Sequence, residues 1–147
     1  MVLRFPRMKW FMAAALVLSP ALRAQGPSEP VQPVATMKQL MLDVIHPASN
    51  SLLLVIHRGG PASDDEWAEA RRSALTLAES GNLLIMRNRA ANWIADAKLL
   101  TDAGTAAYKA AEARDAKALA ALADRLDASC TTCHTQFRPT VFPPASR

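Results

Sequence analysis

Cysteine is nearly absent: the 147 residues contain two, Cys130 and Cys133, only three positions apart. Such a pair cannot staple distant segments, which excludes a disulfide framework. β-Branched residues are sparse, and glycine and proline gather at the ends and at a few breaks. Alanine and leucine dominate, and that composition favours an all-helical chain without strands. There is no basic cluster with interleaved aromatics, so nucleic-acid binding is not expected. Paired-carboxylate pockets, serine–histidine arrangements and phosphate loops are missing too, so no enzymatic activity is expected. No internal repeat or low-complexity tract occurs.

Charge is unevenly placed. Arg4, Arg7, Lys9 and Arg23 lie among the first 24 residues, and none of the 13 acids does. This charged start leads into an apolar run from Trp10 to Leu18, a break at Ser19-Pro20, and the small residue Ala24 ahead of Gln25. These are the parts of a secretory signal peptide over residues 1–24. The apolar run is far short of the ~20 residues of a membrane span, and no later segment is expected to come close. Removing the leader leaves 13 basic residues against 13 acidic ones, so the mature chain is neutral where the precursor is +4. The remaining 123 residues suffice for one domain with a single core.

Three prolines make residues 25–33 an extended lead-in, and residues 34–147 form the domain. A first helix is expected from Val34 or Met37, opened by a capping box of Thr36 and Gln39. Its apolar face reads Met37, Leu40, Met41, Val44, Ala48, Leu52 and Val55, and Gly59-Gly60-Pro61 stops it. Pro47 lies inside and predicts a kink, since the apolar phase continues past it. A second capping box, Ser63 to Glu66, opens a helix carrying Trp67, Ala70, Ala74, Leu77 and Ala78 inward and continuing past Gly81 to Met86. After a polar turn at Arg87-Asn88-Arg89, a third helix spans about 91–113 with Trp93, Ala97, Leu100 and Tyr108 inward. Gly104 weakens it without ending it. Asp115 caps a fourth, whose stripe is Leu119, Leu122, Leu126, Cys130, Cys133 and Phe137 before Pro139. Four such helices with short turns predict an antiparallel four-helix bundle.

The chemistry concentrates in Cys130-Thr131-Thr132-Cys133-His134. In Cys-x-x-Cys-His, two thiols add across the vinyl groups of one haem and the adjacent imidazole becomes an axial iron ligand. On a helix the two cysteines lie about 60° apart, with His134 one turn beyond Cys130, so all three share a face. A dithiol redox site would favour a βαβ context, and a zinc site would need further ligands. Neither pattern is present, and an exported chain suits haem attachment.

The C-terminal motif, continued by Phe137 and Arg138 and preceded by a four-helix pattern, resembles the cytochrome c′ and cytochrome c-556 family. Small cytochromes c carry the motif near the N-terminus instead. The resemblance implies a periplasmic bundle holding one covalent haem c, frequently a homodimer. Its implied roles are electron transfer with a redox partner protein, or binding of small gases such as nitric oxide.

Within that resemblance, the residue opposite His134 separates the two roles. A methionine from the first helix favours electron transfer, and an apolar residue leaves the iron open to gases. Met37 and Met41 lie one turn apart near the start of the first helix, and Met41 is preferred as the deeper of the two. Leu40 would leave the position open. Met86, at the far end of the second helix, is a weaker candidate. His46 and His57 read better as surface or locally bonded histidines than as ligands. Arg138 has two readings: pairing with a haem propionate or tuning the imidazole, or a solvated residue favoured by the helix dipole.

Overall fold

A computed structural model describes residues 32–88 and 90–140, and every regular element among them is helical. The expected leader over residues 1–24, most of the lead-in, and Arg89 lie outside the described residues. Helix α1 spans Met37–His57, α2 Asp64–Arg87, α3 Ala91–Glu112, α4 Ala116–Ala120 and α5 Ala123–Phe137.

Helix α1 starts at the expected box: Gln39 N–H donates to Thr36 Oγ1 at 3.2 Å, and Thr36 N–H donates to Gln39 Oε1 at 3.0 Å. Pro47 has no N–H for the Asp43 carbonyl, and its ring crowds that oxygen. The chain meets this by widening the preceding turn, so Leu40–Ile45 is π-helical and His46 N–H donates to the Met41 carbonyl. The expected kink thus takes the form of a wide turn in an unbroken helix. One consequence was not visible in a 3–4 spacing. A π-turn aligns residues five apart, so Leu40 is followed in the core by Ile45, and Val44 is left half-buried.

The α1 C-terminus closes as a Schellman motif: Gly60 N–H donates to the Val55 carbonyl at 2.9 Å and Gly59 N–H to the Ile56 carbonyl at 3.0 Å. Gly59, at φ +101°, supplies the left-handed residue this turn requires. At the start of α2, Glu66 N–H donates to Ser63 Oγ at 3.2 Å, but the Glu66 carboxylate accepts from Ala62 N–H at 2.7 Å rather than from the cap residue. Helix α3 ends in a second Schellman motif, with Arg114 at φ 54° in the left-handed position.

The expected single fourth helix is instead two. Asp115 caps α4 as anticipated, accepting from Ala118 N–H at 2.9 Å, but the helix ends after one turn. Ala121 N–H is shared between the Leu119 and Lys117 carbonyls, and Leu122 N–H goes to Leu119 at 3.1 Å. This tightening keeps both Leu119 and Leu126 in the core.

Helices α2 and α3 share the most extensive contact, α1 packs on α2, and α5 packs on α3 and α1. Alanine makes the α2–α3 seam: Ala70, Ala74, Ala97, Ala103 and Ala107 are fully buried. Gly104 lets the backbones meet there, since a Cβ on it would lie 2.9 Å from Ala78 Cα and 3.0 Å from the Ala74 oxygen. Against expectation, one segment does reach the dimensions of a membrane span: α1 has 21 residues and a stretch of mean hydropathy 1.3. Its apolar side, from Leu40 to Ile56, belongs to this core.

Candidate functional site

The last turn of α5 is pinned from several sides. Arg138 N–H donates to the His134 carbonyl at 2.7 Å, and Asn92 Nδ2 donates to Gln136 Oε1 at 2.7 Å. Phe137 stands edge-on to Trp93 with ring centroids 4.8 Å apart, and Trp93 Nε1 donates to the Leu84 carbonyl at 2.8 Å. The Asn92–Gln136 bond and the Trp93–Phe137 ring contact hold the motif helix against α3, and the Trp93 bond to Leu84 ties that ring to α2.

A cavity of about 520 Å³ opens between this turn and the start of α1. Its walls are Met37, Met41 and Leu42 from α1, Trp93 from α3, and Cys133, His134 and Phe137 from α5, with Lys38 and Arg138 as its cations. A smaller cavity adjoins it through shared Met41, Cys133 and His134, and reaches Cys130, Ser129, Asp96 and the apolar residues Ile45, Leu84 and Leu100. The structure therefore brings Cys133, His134, Met37, Met41 and Arg138 to one cavity, with Cys130 at the second. Leu40 is buried in the core, while Met86 lines neither cavity. His46 and His57 are both exposed, and His57 Nδ1–H donates to the Leu53 carbonyl at 2.7 Å, the locally bonded state expected of it.

The electrostatics are those of a partly dry site. Burial, then the nearby Arg138 guanidinium, holds the His134 imidazole below its ordinary 6.5. The neutral ring is the form that ligates metal. Burial raises the Cys130 thiol, with hydrogen bonding to Ser129 and Ser49 opposing it. Burial, then the Asp96 charge, pushes the Cys133 thiol up to about 11. The two cysteines are not joined. Both are therefore neutral thiols at neutral pH.

A bare ion is poorly served here, since among the described residues no three His, Cys, Asp or Glu side chains converge as a metal group. A large, flat, mostly apolar group fits better: the walls are aromatic and thioether, one imidazole and two thiols are available, and two cations suit carboxylates. Sequence reasoning did not single out Lys38, Ser129 or Asp96. For Asp96 a signal was present: it falls three residues after Trp93 and beside Ala97, on the inward stripe of α3. Compared with protein-family models, curated proteins and solved structures, the chain gives no match.

Proposed function

We propose that this protein is a monohaem c-type cytochrome that transfers electrons in the periplasm, exported by the signal peptide at residues 1–24. On this reading the helices form an antiparallel bundle of the cytochrome c′ and c-556 type. Cys130 and Cys133 would hold haem c through thioether bonds, and His134 would ligate its iron. Met41 would be the second ligand, with Met37 as the alternate from the same wall. Arg138 and Lys38 would pair with the propionates. Bound in this way, haem supplies a one-electron couple to a redox partner protein. The chain's own residues exclude water with Trp93 and Phe137, keep His134 neutral, and offer a methionine that favours reduced iron.

The observation that carries this reading is the single cavity that unites Met37 and Met41 with Cys133, His134 and Arg138. The two methionines sit nearly a hundred residues before the motif, and only folding brings them to it. Expression with export and haem loading tests it. Mass spectrometry is expected to find one covalent haem, and the reduced spectrum to be low-spin and insensitive to carbon monoxide. In Met41→Ala the spectrum is expected to become high-spin and to respond to carbon monoxide. A wild-type spectrum already high-spin and gas-responsive would overturn the methionine ligation and favour the gas-binding role.

A further inference from the structure

Asp96 is the one charged residue of the smaller cavity, and nothing above gives it a role. It is only 7 % exposed, and its Oδ2 has no hydrogen-bond partner. It lines the cavity with Cys130, Cys133, His134 and Ser129, and no Lys or Arg belongs to that lining. Ser129 does not satisfy it, because its hydroxyl donates to the Leu126 carbonyl at 2.7 Å. A buried carboxylate oxygen without a donor is costly, and native proteins rarely keep one. The Cys133 thiol registers the charge, since Asp96 is the largest influence on it after burial itself. The carboxylate thus faces the motif from the opposite helix.

The inference rests on the proposed haem attachment. Were a haem held there by Cys130, Cys133 and His134, oxidation of its iron would add a positive charge to the site whose cavity Asp96 lines, and in a poorly solvated interior salt screens little of the attraction to a carboxylate. We infer that Asp96 sets the redox potential of the site, its unpartnered carboxylate favouring the oxidised iron. The step it would bias is transfer of one electron between a bound haem and the redox partner protein, with no bond made or broken at Asp96. Asp96 and Met41 then oppose one another: the thioether favours reduced iron, and the carboxylate draws the potential back.

The test compares haem-loaded wild type, Asp96→Asn and Asp96→Glu by spectroelectrochemical titration. Asparagine keeps shape and hydrogen-bonding capacity but removes the charge. At a fixed ambient potential, the ratio of reduced to oxidised protein is expected to rise about tenfold in Asp96→Asn, equal to about 59 mV for a one-electron couple. Asp96→Glu is expected to stay within about twofold of wild type. An Asp96→Asn ratio within about twofold of wild type overturns the inference. So does an altered spin state, which would make Asp96 a ligand. Wild type alone provides a second measurement, independent of how the variants fold. Redox-difference infrared spectra with isotope-labelled aspartate are expected to show a carboxylate band that moves with the iron's charge, and a silent spectrum overturns the inference. Wild type without covalent haem overturns the proposed function and this inference together. Haem-loaded wild type with unmoved variants overturns this inference alone.

Discussion

Gly104→Ala tests how closely α2 and α3 must approach. In an ordinary helix interior the change would gain roughly 1 kcal/mol, because alanine is the better helix former. Here the added Cβ would lie 2.9 Å from Ala78 Cα and 3.0 Å from the Ala74 oxygen, and it would press on the Ala78 amide nitrogen as well. All of these are backbone atoms, so no rotamer change relieves the overlap. The helices must move apart, and the buried alanines on either side, Ala74, Ala103 and Ala107, have no atoms to fill the gap. Overpacking costs about 1–3 kcal/mol in ordinary cores, and a rigid seam belongs at the upper end. After the propensity gain, a net loss of about 2 kcal/mol is expected. With a urea slope of about 2 kcal/mol per molar, the midpoint falls by about 1 M. Urea unfolding followed by helical circular dichroism measures it. An unchanged or higher midpoint would refute the close-approach reasoning and show that the seam yields freely.

Other perturbations are smaller. Arg114 occupies the left-handed position that ends α3, and its ion pair with Asp64 at 2.7 Å is solvent-exposed. Arg114→Gly is therefore expected to raise stability by about 0.5–1 kcal/mol, since strain relief exceeds a weak surface pair; a lower urea midpoint contradicts this. Glu69 is held below its usual 4.5, first by the Arg72 hydrogen bond at 2.6 Å and then by Ser73, with Ser51 of α1 adding a third. A lowered folded value means stability fully present above 4.5 and lost as the pH falls through the range below it. Glu69→Gln should thus cost a few tenths of a kcal/mol at neutral pH, discounted for its half-exposed carboxylate, and nothing in strong acid. A stability difference that persists in acid would assign the effect to shape rather than charge.

Much of this molecule was legible in its sequence because the signals are local. Thr36 with Gln39, Ser63 with Glu66, Asp115, and Gly59 act within a turn of themselves, and helix ends fell where these residues stand. The spacing of Cys130, Cys133 and His134 is likewise local, so the shared face of the motif was readable before any fold was known. Helix α1 shows where that reading stops. Pro47 signalled a disturbance, yet whether the chain kinked or widened a turn depended on what Leu40 and Ile45 were to pack against. The split between α4 and α5 carried no signal at all, since alanine and leucine at positions 121 and 122 are ordinary helix residues. Burial of Leu119 and Leu126 in one core decided it.

By itself, then, the sequence determined the helical character of the described residues, most of their helix boundaries and the shared face of Cys130, Cys133 and His134, because propensity, capping and short spacings act between near neighbours. Tertiary structure alone decided that Met37 and Met41 line the same cavity as His134, that Gly104 sets the distance between two helices, and that Asp96 Oδ2 is buried without a hydrogen-bond partner. Each of these depends on atoms far apart in the chain, and their proximity follows from how the helices share one core.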